Sequence, residues 1–491
     1  MLVSILVFLS LVSGLYYYAS TSKKILPNGS RPLPRPKGLP IFGNIFQVGL
    51  EPYLTFNKWA KMYGPIFQVQ LGVKRWVIIS DPNIAHELLV KRGANYSNRD
   101  KTVVMNEIVH PESRGVLASS VHHAMSQRAV ESYTPLIEIE SIETMRQLFD
   151  ATIDPEGSFH RGTLGVIHTV IYGKRLETSD DLVVKDLLKY ILDTFQVIEA
   201  DAVVNLLPFL QCLPIGLDKK AKKIMDGYFS LTKKLFDKFK EDKKCGITQP
   251  CVAEYILEHM EEEGIDDFDV HNLFIDLFGG GLDTSAVTLS WITAILALHP
   301  IVQERAHAEL DAMVGRDRLP NQADEANLPF IRAIIREVLR FRPPIGWLNF
   351  PHQSVQDDTY EGYHIPADTS IVINVHAMHM DSSRWTHPER FDPDRYLDMT
   401  ESIPASANGP IAKRDNMAFG WGRRMCPGIF LAEAELFMGT ALLLWSYRIE
   451  VEKGGKAPNI NEWQSGIVMR PKPYKVSFIP RHDKVKELIF A

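Results

Sequence analysis

The chain has 491 residues, of which 45% are hydrophobic and 23% charged, so it can bury a large globular core. Its net charge of -6 leaves no basic excess to neutralise phosphates, which argues against a nucleic-acid-binding protein. The four cysteines include no CxxC pair, so neither a zinc site nor a disulfide framework is expected.

An uncharged apolar run from Leu2 to Ala19 is about long enough to cross a bilayer. Three consecutive tyrosines near its end suit a membrane interface, and Lys23 and Lys24 follow it. Since no positive residue precedes the run, the positive-inside rule predicts a single-pass anchor over residues 1–22, with the body of the chain in the cytosol. A cleaved signal peptide is the alternative, although its usual basic n-region is missing.

Residues 23–45 are rich in proline and predict a semi-rigid hinge whose arginines and lysines suit contact with anionic headgroups. Beyond the hinge we expect one continuous domain, residues 46–491. Its first part predicts helices near 54–63 and 82–92, with a hairpin of strands 66–71 and 76–79 between them. The aperiodic stretch that follows, residues 100–120, is typical of a binding loop.

Three consecutive glycines, Gly279 to Gly281, interrupt a segment from 269 to 298 that otherwise predicts a helix. Each costs about 1 kcal/mol relative to alanine inside a helix, so we expect them to open a groove beside a planar group. Asp283 and Thr284 follow directly. The alternative is a glycine kink for helix packing, with the Thr284 hydroxyl bonded back to its own helix.

The last motif is the run FGWGRRMCPG, residues 419–428, which ends just before a long apolar helix predicted from Ile429 to Tyr447. Arg423, Arg424 and the helix N-terminus would each favour the thiolate form of Cys426. A thiolate there predicts a metal ligand, whereas a lone Cys-Pro-Gly would more often be a buried cysteine beside an ordinary turn.

This run resembles the haem-binding signature of the cytochrome P450 family, F-x-x-G-x-R-x-C-x-G. The resemblance implies a mainly α-helical fold with a smaller β region, and haem b as the cofactor. It implies that Cys426 is the axial ligand of the haem iron, with Phe419 packed against the sulfur and Arg424 on a haem propionate. Gly422 and Gly428 occupy the remaining fixed positions of the signature.

The resemblance also gives roles to the glycine-rich helix and to an E-x-x-R motif. Asp283 and Thr284 match the acid and alcohol pair that conveys protons in the family. Glu337 and Arg340 stand three residues apart on one helix face, where a surface ion pair is the alternative to a buried triad. For the third member of a triad that braces the cysteine loop, the framing F-x-P-E-R-F favours Arg395 over the arginine of the segment 388–391.

Further haem contacts are implied at the propionates. His352 falls where family members place an arginine or histidine, although a core histidine is the alternative. The helix that usually supplies a tryptophan and an arginine contains no tryptophan between Val121 and Arg128. Arg128, His122 or His123 is the expected substitute, against the alternative of a surface histidine pair.

The substrate pocket implied by the resemblance is apolar and partly aromatic, which suggests a small apolar substrate. The apolar connection 206–210, between two predicted helices, would lie over the access channel and dip into the membrane. The expected lining residues are Phe278, Ile345, Trp347, Leu348, Phe350 and Val468.

The implied protein is a monooxygenase of the endoplasmic reticulum membrane that hydroxylates a small aromatic or polyketide-derived molecule in fungal secondary metabolism. No flavin or nicotinamide domain is recognised, so electrons from NADPH are expected through a separate NADPH-cytochrome P450 reductase, with cytochrome b5 as a further partner. Two other classes stay open, a haem-thiolate isomerase or dehydratase and a non-catalytic haem sensor or carrier.

Overall fold

The computed structural model describes residues 29–100, 124–176, 181–212, 216–346, 348 and 350–491. The predicted anchor, residues 1–22, lies outside the described residues, as do the first part of the predicted hinge and most of the predicted binding loop. His122, His123 and Trp347 also lie outside them.

The predicted mainly α-helical fold with a smaller β region is confirmed. The 82–92 segment forms a short helix that continues as a π-helical turn, His86–Lys91. The α-helices of the described residues are α1 (Ile45–Val48), α2 (Pro52–Tyr63), α3 (Pro82–Ala85), α4 (Gln127–Leu148), α5 (Glu156–Tyr172), α6 (Asp181–Leu206), α7 (Leu217–Lys244), α8 (Val252–Glu263), α9 (Asp267–Ala297), α10 (Pro300–Met313), α11 (Pro329–Phe341), α12 (Val375–His379), α13 (Ile403–Asn408), α14 (Ile429–Ser446) and α15 (Lys484–Ile489).

The strands are short and form small sheets beside the helices. They are β1 (Arg31–Pro32), β2 (Ile66–Leu71), β3 (Lys74–Ile79), β4 (Thr152–Ile153), β5 (His352–Gln353), β6 (Asp358–Tyr360), β7 (Tyr363–Ile365), β8 (Ser370–Ile373), β9 (Tyr447–Val451), β10 (Trp463–Gln464), β11 (Arg470–Pro471) and β12 (Val476–Pro480). The strand orders are β2-β3-β8-β5, β1-β7-β6, β4-β12-β9 and β10-β11.

The predicted hairpin is present, with β2 and β3 antiparallel and Ile66 paired with Ile79. β8 joins β3 in parallel, which buries a strand of four β-branched and small residues at the centre of the sheet. β1 pairs in parallel with β7, and Leu33 behind it is buried. The later part of the predicted hinge is therefore fastened to the domain instead of forming a free spacer.

The core is built around α9 and α14. α9 begins at a capping box between Asp266 and Asp269, packs along α5 and continues through the glycine run. α14 is apolar on every face and is buried accordingly. Among the described helices, it alone is long and apolar enough to cross a membrane, yet 83% of it is buried inside the fold. α14 is therefore a core helix of this domain.

The turn between β2 and β3 fastens the C-terminal end of α6. The Val73 N–H donates to the Leu206 carbonyl at 3.0 Å, and Gly72 lies so close that a Cβ there would overlap the same oxygen. Gly72 has a φ of 55°, which glycine adopts without strain. The sheet and the helix pair α6 and α7 are thus joined at one defined point.

Candidate active site

The cysteine of the C-terminal motif is presented by a tight loop, residues 419–428. The Cys426 N–H donates to the Phe419 carbonyl at 2.8 Å and closes the loop. Gly422 has a φ of 55°, and a Cβ at this position would overlap the Leu89 carbonyl oxygen in the π-helical turn. Glycine is therefore required where the loop packs against that turn.

Cys426 is partly buried two residues before Gly428, which is the N-cap of α14. Burial raises the pKa of its thiol, and a hydrogen bond from the Gly428 backbone opposes the rise only in part. Arg423 and Arg424, which we expected to favour the thiolate, are exposed and do not contribute to this shift. The polypeptide alone therefore favours the thiol, and a coordinated metal ion would supply the deprotonation. Phe419, the expected cover of the sulfur, is partly buried against the main core.

Three basic side chains from distant parts of the chain lie close together, namely Arg99, His352 and Arg424. The Arg99 guanidinium donates from Nη1 to the carbonyls of Phe350 at 2.8 Å and Pro351 at 2.7 Å. Burial, and then the charge of Arg424, lowers the pKa of Arg99 to about 10. No carboxylate of a described residue pairs with any of the three. The group, which we call the basic cluster, therefore has no counter-ion among the residues that the structure describes.

The hydrogen bonds of the basic cluster fix its geometry. Arg424 Nε donates to the Ser97 carbonyl at 2.7 Å, and His352 Nδ1 lies 2.8 Å from the Tyr96 carbonyl. Because a carbonyl only accepts, Nδ1 holds the hydrogen and Nε2 of His352 is left for another partner. Burial, followed by the charge of Arg99, lowers the pKa of His352 to about 4. The positive charge of the cluster suits an anionic group, and the propionates of haem b are such groups.

Two outcomes at the basic cluster differ from the sequence analysis. Arg99 was not predicted, and its only signal is its place at the start of the aperiodic stretch 100–120. Arg128, predicted as a propionate ligand, is exposed in the first turn of α4 and makes no contact with the cluster among the described residues. The Arg128 side chain thus faces solvent in this structure, because helix α4 begins at Gln127.

The three glycines of α9 serve two different purposes. A Cβ at Gly281 would lie 2.9 Å from Ile167 Cδ1, so this glycine lets α9 approach α5 closely. A Cβ at Gly279 or Gly280 would meet no atom of the described residues within 4 Å, and a groove beside a planar group requires such open space. The Thr284 hydroxyl donates to the Gly280 carbonyl at 2.9 Å, as the packing alternative predicted. Both interpretations of the glycine run therefore hold, each for different glycines.

Asp283 is fully buried and held on both oxygens. Its Oδ1 lies 2.7 Å from His160 Nε2 on α5, and its Oδ2 accepts from Arg470 Nη2 at 2.7 Å. Arg470 Nη1 also donates to Glu156 Oε1 at 3.0 Å. The sequence analysis identified the carboxylate but none of these three partners, which lie far away in the chain.

Ser285, the residue after Thr284, forms a hydrogen bond with a second buried acidic residue, Glu435. Ser285 Oγ donates to Glu435 Oε2 at 2.6 Å, which ties α9 to α14. Burial raises the pKa of Glu435 to about 8, and the hydrogen bond from Ser285 opposes the rise only in part. This carboxyl group is therefore mostly protonated at neutral pH.

The structure brings Glu337, Arg340 and Arg395 together. Arg340 binds both Glu337 oxygens at 2.7 Å, from Nε and Nη2, and Arg395 Nε lies 3.4 Å from Glu337 Oε1. The Arg395 side chain is 8% exposed, whereas that of Arg390, the competing arginine, is 72% exposed. The choice of Arg395 from the sequence framing thus agrees with the geometry.

A relay of hydrogen bonds connects this triad to the cysteine loop. Arg340 Nη1 donates to the His379 carbonyl at 2.9 Å, and His379 Nε2 accepts from the Met417 N–H at 2.9 Å. His379 and Arg340 are both buried. Since Met417 stands two residues before Phe419, the triad positions the backbone that enters the loop.

An apolar cavity of about 320 Å³ opens beside the basic cluster. Phe350, whose carbonyl accepts from Arg99, forms part of one of its walls. Predicted lining residues present in the wall are Ile345, Leu348 and Phe350. Its other lining residues are Leu50, Glu51, Pro52, Tyr53, Gly346, Trp463, Ser465, Gly466, Ile467 and Met469.

Two predicted lining residues lie elsewhere. Phe278 is fully buried in the aromatic core, with its ring centroid 6.2 Å from that of Tyr172 on α5. Val468 is buried in the main core, while its neighbours Ile467 and Met469 reach the cavity wall. Phe278 and Val468 therefore do not line this cavity, and their place in a substrate pocket stays a prediction.

Comparison with known proteins adds independent findings. The family model described as Cytochrome P450 matches residues 33–478. The chain is 31% identical over 481 residues to the cytochrome P450 monooxygenase verL of Clonostachys rogersoniana, covering 93% of this chain and 88% of the relative. It is 30% identical over 477 residues to the cytochrome P450 monooxygenase virE of Hypocrea virens, covering 92% and 85%.

Among solved structures, the chain is similar to a zebra fish cytochrome P450 determined with abiraterone. The TM-score is 0.74 at 24% identity, and the match covers 88% of this chain and 100% of that one. At this identity the likeness concerns the fold.

Proposed function

Because the chain belongs to the cytochrome P450 family and is a P450 monooxygenase with haem b as its cofactor, we propose that it hydroxylates a small apolar molecule. The observation that carries the proposal is the apolar cavity of about 320 Å³ whose wall is bonded to Arg99 of the basic cluster. A substrate in this cavity would lie next to the segment that Arg99 of the basic cluster holds. An aromatic or polyketide-derived substrate from secondary metabolism fits its apolar and aromatic lining.

Haem b, when bound, supplies the activation of molecular oxygen. The chain's own residues have separate tasks around it. Cys426 would ligate the iron, and the basic cluster of Arg99, His352 and Arg424 would hold the propionates. Asp283 and Thr284 would hold and pass on the protons that the reaction consumes.

Electrons are proposed to come from NADPH through a separate NADPH-cytochrome P450 reductase, with cytochrome b5 as a second donor at the same surface. The cysteine loop packs on the π-helical turn His86–Lys91, where Arg423 is exposed and the exposed Lys91 forms an ion pair with Glu87. Positive charge around the loop would attract an acidic redox partner and orient it towards the haem.

An endoplasmic reticulum location is proposed from the predicted anchor and from one surface of the domain. Phe42 contacts the rings of Phe46 and Phe209, at 5.1 Å and 6.4 Å between centroids. Phe46 and Phe209 are exposed, as are Leu39 and the 98%-exposed Leu50 at the cavity mouth. Exposed apolar side chains grouped in this way favour contact with a membrane, and the cavity would open towards it.

The first experiment is to reduce the purified full-length protein under carbon monoxide and record its Soret spectrum. A strongly red-shifted band is expected, because thiolate ligation by Cys426 changes the electronic state of the iron. Product formation from a panel of apolar aromatic compounds, with NADPH and a diflavin reductase, then tests the substrate class. Haem binding without the red shift, or turnover only of charged compounds, would overturn the corresponding part of the proposal.

A further inference from the structure

Asp283 is the centre of a buried charged group that the family resemblance does not describe. His160 approaches one oxygen at 2.7 Å and Arg470 the other at 2.7 Å, while Glu156 binds the far side of Arg470 at 3.0 Å. His160 and Glu156 stand four residues apart on α5, so they occupy the same face of that helix. The four side chains form a continuous contact from α9 to the start of α5.

Exposure of the side chains rises outward along this contact. Asp283 is 0% exposed, His160 8%, Arg470 17% and Glu156 20%. Water therefore reaches Glu156, Arg470 and a small part of the His160 side chain, but not the carboxylate of Asp283. A proton that arrives at Asp283 from this side has to pass through one of its two hydrogen-bond partners.

The chemistry of the two partners decides which one can transfer it. An arginine guanidinium stays protonated in proteins, so Arg470 can hold Asp283 but cannot give it a proton. An imidazole gains and loses a proton near neutral pH, and its second nitrogen can be recharged while the first one donates. Among the described residues in contact with Asp283, only His160 both forms a short hydrogen bond to it and has a side chain that can take up and release a proton.

We propose that His160 is a relay residue that carries protons from solvent at Glu156 to Asp283. The inference rests on the proposed function, in which Asp283 and Thr284 supply protons to oxygen chemistry. In the step, the His160 imidazolium gives its Nε2 proton to Asp283 Oδ1 and becomes neutral, and the carboxylate becomes a carboxylic acid. The imidazole then takes a proton from water beside Glu156, so the relay returns to its starting state.

The charged surroundings of His160 support a proton reservoir at this place. Asp283 on α9, Arg470 on β11 and Glu156 on its own helix face it, and Asp154 lies next to Glu156 in the preceding turn. Burial raises the pKa of Glu156, although the charges of His160 and Arg470 oppose the rise. Two carboxylates and one arginine therefore lie around the His160 ring.

The decisive variant is His160→Gln, because the glutamine amide can still donate a hydrogen bond to Asp283 but cannot carry a proton. The matched control is His168→Gln, which changes a buried histidine two helical turns further along α5 that is bonded to the Lys174 carbonyl. Both holoenzymes are expected to keep the reduced carbon monoxide spectrum. Product formed per NADPH should fall at least about tenfold in His160→Gln and stay unchanged in His168→Gln.

Two further readouts separate a relay from a structural role. Wild-type product formation should decline towards high pH, and this limb should vanish in His160→Gln, which cannot carry a proton. Independently of turnover, infrared titration of the reduced carbon monoxide complex should show a protonated carboxyl band that is absent from Asp283→Asn. Its midpoint should move in His160→Gln and stay in place in His168→Gln.

The possible results test the role of Asp283 and the role of His160 separately. If Asp283→Asn keeps full coupling of NADPH to product, the proposed role of Asp283 fails and the relay fails with it. If Asp283→Asn loses coupling while His160→Gln keeps it with an unchanged pH profile, only the relay is overturned. If His160→Gln does not fold with haem, Glu156→Gln decides, since a relay predicts a displaced high-pH limb and an unchanged limb would refute it.

Discussion

Ser285 Oγ and Glu435 Oε2 lie 2.6 Å apart, and this hydrogen bond joins the two central helices one residue beyond Thr284. Glu435 is buried, and its Oε1 has no hydrogen-bond partner among the described residues. Burial raises the pKa of this carboxyl from 4.5 to about 8. Helix packing at the core is therefore coupled to pH.

We expect Glu435→Gln to flatten the pH dependence of the free energy of unfolding. The folded pKa of about 8 exceeds the unfolded value of 4.5, so unfolding releases a proton between these pH values. The contribution to stability is full below pH 4.5, falls by up to roughly 1.4 kcal/mol per pH unit, and is lost above about 8. Thermal unfolding of the holoenzyme across this range measures the slope.

The exposed Glu450 on β9 provides the control for that comparison. Glu450→Gln should keep the wild-type slope, since its side chain is 48% exposed and its ion pair with Arg448 lies at the surface, where such pairs contribute little. Identical slopes for Glu435→Gln and the wild type would show that Glu435 ionises in the folded protein as it does in the unfolded chain.

Arg340→Ala should destabilise the domain by about 3–5 kcal/mol, because it leaves the carboxylate of Glu337 buried with only Arg395 beside it. It also removes the link through His379 to Met417, so the red-shifted carbon monoxide band should diminish along with stability. Arg390→Ala, at the exposed arginine of the same region, should stay within about 0.5 kcal/mol of the wild type. A denaturant unfolding curve with equal midpoints for both variants would contradict the assignment.

Gly422→Ala should prevent the cysteine loop from packing and so abolish thiolate ligation. The new Cβ would overlap the Leu89 carbonyl oxygen, and overpacking costs about 1–3 kcal/mol in addition to the strain of a φ of 55°. Gly454→Ala is the matched control, because its φ of 77° imposes similar strain while nothing lies within 4 Å. The carbon monoxide spectrum should change only in the first variant, and a change in both would attribute the effect to backbone strain.

Arg99→Gln should weaken haem retention, since it removes a buried charge from the proposed propionate site. Loss of one charge-assisted hydrogen bond, about 1.5–3 kcal/mol, corresponds to haem transfer to an acceptor protein that is roughly tenfold to a hundredfold faster. Arg128→Gln, which changes an exposed arginine, should leave the transfer rate unchanged. Equal rates in the wild type and Arg99→Gln would separate the basic cluster from haem binding.

The features that could be predicted from the sequence are those with short-range signals. The spacing of Glu337 and Arg340, the sequence framing around Arg395, and the glycine and cysteine motifs are each local patterns of about ten residues or fewer, although Arg395 meets Glu337 across 58 residues. The hairpin of β2 and β3 follows from alternating β-branched residues around one glycine turn. Local pattern and tertiary structure agree at these places.

The features that were missed depend on contacts between remote segments. Asp283 meets His160 across 123 residues and Arg470 across 187 residues, and no local pattern relates them. The burial of Phe278 in the aromatic core was not foreseen, because a helix that is apolar on every side gives no sign of which face meets a cavity. The exposure of Arg128 was not foreseen, because a helix begins one residue before it, at Gln127, and helix starts are hard to place from sequence.

The bond between Val73 N–H and the Leu206 carbonyl has a kinetic consequence. Any movement that lifts the C-terminal end of α6 from the sheet has to break it. The amide hydrogen of Val73 can therefore exchange with solvent deuterium only during such openings, and its exchange rate counts them. The exchange rate of this one amide hydrogen on a surface turn thus reports how often the C-terminal end of α6 separates from the sheet.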